Sequence, residues 1–343
     1  MTDALTPVED PAAAPTRGGG GGGGLLRYTA TKLGAALVSL ALIAVLGFVL
    51  FRVLIPGDPV RILTRGAPVT PEGADALRRQ YGFDLPLWQQ FLRYAGNLLH
   101  GDLGTSAQFK VPVAQKIGER VGPTLLLVGV ATLIAVALGL WLGTRSAWRR
   151  GSRFDRVSTG IALTLWSAPT FWLGLLLLSV TRGLFPSGGI TYPDTPPDFW
   201  SQAVDTAHHM VLPLITLVAV VYAQYQLVMR SSLVEEMHAD HLLTARAKGL
   251  RDDRVRRHHA VPNALLPTVT LVFLHLGLVV SGAVTVETVF SWPGLGLLTY
   301  EALRFNDVFL LQGTFLVLAA AVVAMNLLAD LLYRVLDPRV RAA

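Results

Sequence analysis

The chain has 343 residues, 52% of them hydrophobic and only 15% charged, with a mean hydropathy of +0.49. Soluble domains carry about a quarter charged residues, so this deficit excludes an ordinary soluble domain, and the formal net charge of +6 then reads as Lys and Arg held in loops rather than as a nucleic-acid footprint. Cysteine is absent, which excludes a disulfide framework, thiolate catalysis and a Cys-ligated metal.

Residues 1–26 are expected to form a flexible cytoplasmic tail. Positions 18–24 are all glycine, and nothing nearby offsets the entropy lost on ordering them. A phosphate-binding glycine loop needs Lys-Ser or Lys-Thr after the glycines, whereas Leu25 and Leu26 follow here. The apolar run that comes next starts too late and is too long for a cleavable signal peptide.

A helix needs about 20 mostly apolar residues to cross the hydrocarbon core. Uncharged runs of that size lie at 33–51, 121–144, 157–181, 210–229 and 308–329. A sixth, 260–286, is interrupted by His275 alone. The first transmembrane helix is expected over 27–54, and the other five within a core of 121–336. The apolar stretch 289–298 is too short to span and carries Pro293, Gly294 and Gly296, so a re-entrant or surface hairpin is expected there.

Loop charges orient the chain. The loop 145–156 holds five Arg, and 230–259 holds six Arg and a Lys, while 182–209 and 287–307 hold one Arg each. Both termini, including 337–343, are therefore expected in the cytoplasm, with 55–120 outside. That external segment contains Arg61, Arg65, Arg78, Arg79 and Arg93, but long loops weigh little in the rule. Thr70-Pro71 predicts a capped helix start and Gly82 its end. Apolar residues at helical spacing over 86–100 predict a second short helix, stopped by Gly101.

Cytoplasmic loop 236–262 carries the most information. Its first half is a helix former with Leu242, Ala245 and Gly249 along one face, and Gly249 stops or bends it. An Arg-rich second half leads to Pro262. Two short helices joined at a glycine make a compact knob, and the small residues Ala245, Ala247 and Gly249 give another protein room to approach. A plain topology signal accounts for the arginines equally well.

The loop resembles that of binding-protein-dependent ABC importer permeases, whose pattern is Glu-Ala-Ala, three residues, Gly, nine residues, then Ile, one residue and Leu-Pro. Leu243-Thr244-Ala245, Gly249 and Val261-Pro262 fall at those positions, with Leu243 replacing the glutamate and His259 the isoleucine. The dipeptide/oligopeptide/nickel branch is similar at LIPGDPVRIL (54–63), YGFDLPLWQQFLRYAGNLLHGDLGTS (81–106), GAVTVETVFSWPGLG (282–296) and DLLYRVLDPRV (330–340). Together these cover 27–341. The resemblance implies that Leu243, Thr244, Ala245, Ala247, Gly249, Leu250 and Pro262 couple the chain to an ATPase. It also implies a non-catalytic permease in the cytoplasmic membrane. Its partners would be a second permease, two ATP-binding subunits that hold ATP and Mg, and an external solute-binding protein delivering a di- or oligopeptide. Nickel chelates and glutathione-like solutes are the alternative cargo. No Gly-x-x-x-x-Gly-Lys-Ser/Thr occurs here, in keeping with a separate ATPase.

Phe290, Trp292, Pro293 and Gly294 have two readings, an outer gate or an interfacial anchor with both aromatics at the headgroups. Ser167, Pro169, Thr170, Gln224, Gln226 and His275 are candidates for the pathway, since polar groups and a proline in a span need partners or water. For His275 a neutral histidine bonded to a neighbouring helix is the more economical reading. No catalytic, cofactor-binding or metal-binding set is expected in the chain. A secondary transporter would carry further ionisable groups mid-span, and an intramembrane hydrolase a nucleophile partner for His275. The expected fold is all-α and polytopic, with about six transmembrane helices, an extracytoplasmic helical segment after the first, and coupling helices between the fourth and fifth.

Overall fold

The computed structural model describes residues 23–53, 59–64 and 67–336. Most of the glycine-rich tail, part of the LIPGDPVRIL stretch and the C-terminal 337–343 lie outside the described residues.

Every regular element among the described residues is helical. Helix α1 runs Gly23–Phe48 and continues in a π-helical turn, Val49–Val53. The segment expected outside holds α2 (Pro59–Leu63), α3 (Pro71–Tyr81) and α4 (Leu87–Leu99). Thr70 caps α3 as expected: its Oγ1 accepts from the Gly73 N–H at 3.2 Å, and Gly82 ends the helix at φ +67°. Helices α5 (Val113–Trp148), α6 (Arg153–Ser167), α7 (Thr170–Val180) and α8 (Phe199–Glu236) follow. Then come α9 (Asp240–Ala247), α10 (Asp252–Val255), a π-turn at Arg256–Ala260, α11 (Val261–Val289), α12 (Leu295–Arg304) and α13 (Val308–Leu336).

Among the described residues, four helical stretches are long and apolar enough to cross a membrane: Arg27–Val53, Val113–Trp148, Phe199–Glu236 and Val308–Leu331. The run 157–181 is not one rod. It divides into α6 and α7, which meet at 104°. The cause is local: Pro169 has no N–H and bars its predecessor from helical geometry, and Ala168 accordingly sits at φ −76°, ψ 133°. Helix α11 coincides with the run expected at 260–286, and its 29 residues exceed the length a span needs. Both α5 and α8 extend well past their apolar cores, because hydropathy marks lipid depth while a helix continues until something breaks it.

Helices α5 and α8 form the closest pair. A Cβ on Gly139 would lie 2.6 Å from Tyr225 Cβ, and one on Gly143 would lie 2.7 Å from the Gln226 carbonyl oxygen. Glycines four apart let the two backbones touch. Helices α6 and α11 also pack on α8, while α13 packs on α11 and carries α1 on its outer side. Lys32 Nζ meets Asp330 Oδ2 at 2.8 Å, tying α1 to α13. At the end of α8 near the loop to α9, Arg230 grips Asp155 with Nε and Nη2 at 2.6 and 2.8 Å, fastening α6 to α8. At the opposite end Asp307 accepts from Ser106 Oγ at 2.5 Å and from the Gln108 N–H at 2.9 Å, fastening the segment before α5 to the start of α13.

Candidate functional site

The loop between α8 and α11 is a folded knob. Helix α9 starts with Asp240 in its first turn, where a carboxylate complements the helix dipole. Leu242 and Ala245 point inward and pack with Met229, Leu233, Val255 and Ala264. Gly249 stands at φ +75° with no atom within 4 Å of where a Cβ would lie. Its N–H donates to the Arg246 carbonyl at 2.9 Å, and the chain then turns into α10. Asn263 Nδ2 donates to Glu236 Oε1 at 2.9 Å, joining the end of α8 to the start of α11. Asp253 receives Arg256 and Arg257 Nε, the latter at 3.2 Å.

This packing sorts the expected coupling residues. Leu243 (58% exposed), Thr244, Ala247, Gly249 and Pro262 face outward. Ala245 does not: it is buried in its own chain's core, so the small-residue face expected to meet a partner runs through Ala247 and Gly249 instead. Leu250 is half-buried against the same core.

At the opposite end, α11 and α12 form a tight hairpin. Phe290 and Trp292 are 1% and 0% exposed, so of their two readings the headgroup anchor fails for both. Trp292 Nε1 donates to the Pro123 carbonyl at 3.0 Å. The hub of the hairpin is Glu287, which sequence reasoning passed over. Its Oε1 accepts from Thr124 Oγ1 at 2.7 Å, and its Oε2 accepts from the N–H groups of Gly296 and Leu297 at 2.7 and 3.2 Å. Thr124 Oγ1 in turn accepts from the Leu295 N–H at 2.7 Å. A buried carboxylate at a helix N-terminus is thus fully engaged. Gly294 is required here, since a Cβ would meet the Glu287 carboxylate at 2.3 Å. Pro293 is half-buried in the turn. The available signal was an acid ending an apolar run, followed by Pro-Gly-x-Gly.

The pathway candidates are spread over α6, α7, α8 and α11. Ser167 is exposed and its Oγ donates to the Leu163 carbonyl at 2.9 Å. Pro169 and the half-buried Thr170 begin α7 at the bend. Gln224 is half-buried. Gln226 is fully buried, and neither its Oε1 nor its Nε2 has a hydrogen-bond partner among the described residues. The side chain of His275 lies outside the described residues. Among the described residues no group of three His, Asp or Glu is arranged to hold a metal ion.

Residues 135–342 match the family model described as "Binding-protein-dependent transport system inner membrane component". Residues 25–120 match the model of that component's N-terminal region. The dipeptide transport system permease protein DppB of Escherichia coli strain K12 is 38% identical over 337 residues, covering 92% of this chain and 99% of that protein. The glutathione transport system permease protein GsiC of Pectobacterium atrosepticum is 37% identical over 321 residues, with the same 92% and 99% coverage. Among solved structures, a chain of the MetNI methionine ABC transporter in an inward-facing crystal form shares the fold at a TM-score of 0.51 and 20% identity, over 65% of this chain and 97% of that one.

Proposed function

The chain belongs to the family of binding-protein-dependent transport system inner membrane components, and from that premise we propose that it is the permease subunit of an ATP-driven importer of di- or oligopeptides. The carrying observation is the nearly end-to-end similarity to a dipeptide permease, 92% of one chain against 99% of the other. The similarity to a glutathione permease favours a second cargo, a tripeptide-like thiol. In this reading the chain forms the pathway with a second permease, and a solute-binding protein delivers cargo from outside. Two separate subunits bind ATP with Mg and hydrolyse it. The outward residues of the α9–Gly249–α10 knob dock on one of them, and both termini lie in the cytoplasm.

Reconstituting the complex with its binding protein tests cargo directly. Labelled dialanine should accumulate in ATP-loaded proteoliposomes, and excess unlabelled dipeptide should suppress the signal. Accumulation of glutathione but not dialanine would transfer the assignment to the second cargo. Accumulation of neither, by a complex with intact ATPase activity, would defeat both.

A further inference from the structure

The external segment carries arginines that the topology rule leaves without a role. One of them, Arg93, shares a cavity with Arg52 at the outer end of α1. The cavity, about 380 Å³, opens between that end, α3, α4 and the start of α13. Arg52 is fixed along one side: Nε donates to Gln90 Oε1 at 3.0 Å, and Nη2 donates to the Tyr81 carbonyl at 3.3 Å. Its Cζ sits 4.0 Å from the centroid of the Phe83 ring. Arg93 Nη2 donates to the Gln80 carbonyl at 3.1 Å. These contacts orient two cations and neutralise neither. Among the described residues no carboxylate lies within ion-pair distance of either guanidinium. Asp102 on the cavity wall, held by the Gly104 N–H at 2.8 Å, offsets one of the two charges and leaves the cavity net positive.

Two like charges facing one partly desolvated space call for an anion, and the guanidinium fork matches tetrahedral phosphate. Asn97 and Gln312 add neutral donors to the wall. Position selects the source of that phosphate. Trp88, Leu92 and Leu99 lie along the face of α4 turned away from the cavity, and Leu99 is 87% exposed. A helix with an apolar stripe on one side and arginine on the other lies in the membrane interface. Below it, α1 exposes Leu37, Val38, Leu42, Val45 and Leu46 on the way up to Arg52. The cavity therefore opens at headgroup depth, at the end of an acyl-facing track. We propose that it binds the phosphate of a phospholipid in the extracytoplasmic leaflet, with Arg52 and Arg93 as its ligands. The site is independent of which solute the complex carries.

Native mass spectrometry of the delipidated full complex tests this with phosphatidylglycerol as the probe. The wild-type complex should retain phosphatidylglycerol at least about tenfold better than a glucosyl diacylglycerol with the same chains, a discrimination worth about 1.4 kcal/mol. Arg52→Gln with Arg93→Gln should remove that preference, while Arg304→Gln, an exposed arginine beyond the cavity, should leave it intact. The comparison of two lipids on wild-type protein stands even if the double variant misfolds. Equal retention of both lipids, or an unchanged preference in a folded double variant, overturns the proposal. Displacement of the lipid by inorganic phosphate or by dialanine at matched concentration also overturns it, in favour of a soluble-anion or solute-carboxylate site.

Discussion

Gly249 stands at φ +75° in open space, so a side chain there would strain the backbone without striking any neighbour. An L-residue in that region costs roughly 1–2 kcal/mol, with Asn the mildest. Transport by Gly249→Asn, →Ala and →Val should therefore fall in that order while insertion and expression hold. Val as active as Gly in solute-stimulated ATP hydrolysis would remove the turn from the coupling account. Ala245 is a poor test of docking, because a charge there would be buried in the chain's own core and damage folding first. Leu243→Glu and Ala247→Asp are informative instead, since both positions face outward. In the hairpin, Glu287→Ala would leave the Thr124 O–H and two backbone N–H groups without their acceptor, at roughly 1–3 kcal/mol for each group left unpaired. Thermal unfolding of that variant should begin well below wild type, and Glu287→Gln should lie between the two. Indistinguishable melting curves for wild type and Glu287→Ala would show that the hub does not hold the hairpin.

At the level of elements, the α5–α8 contact sets the core. Gly139→Leu or Gly143→Leu must push the helices apart, since even a Cβ overlaps at 2.6–2.7 Å. Neither variant should survive detergent extraction as a monodisperse species, whereas Gly129→Ala, on the same helix with nothing within 4 Å among the described residues, should behave as wild type. Equal yield of all three would deny the close approach. The Gly-x-x-x-Gly spacing was in the sequence, but such a pair is common in apolar helices and only the neighbour shows that it is used. The short external helices were legible because Thr70, Pro71 and Gly82 act locally. The bend between α6 and α7 was half legible: Pro169 announces a break, but its 104° depends on what each half packs against. Least legible was the hairpin after α11. Phe290 and Trp292 look like interfacial aromatics by composition, and only the Glu287–Thr124 network, spanning 163 residues of sequence, explains their burial.

For the whole molecule, the chain is a multi-pass membrane component with a folded knob between α8 and α11 at one end and a locked hairpin between α11 and α12 at the other. Impermeant maleimide applied to intact cells expressing this naturally cysteine-free chain should label Leu99→Cys and spare Ala247→Cys. The reverse pattern would invert the orientation drawn from arginine asymmetry. Of the six expected spans, four fall on helices long and apolar enough to cross and a fifth on the bent α6–α7 pair, legible because lipid imposes one simple demand on side chains; the knob was legible because Gly249 marks its turn. The inward direction of Ala245 was not legible, since a helix one face of which meets a core and another a partner has the same periodicity either way. On the proposed function, the outward face of the knob transmits work between this permease and a separate ATPase. The most direct measurement of this is solute-stimulated ATP hydrolysis by the reconstituted complex carrying Leu243→Glu and Ala247→Asp. Intact assembly in the membrane with stimulation reduced to the basal rate is the result predicted here; full stimulation by a correctly inserted double variant would contradict it.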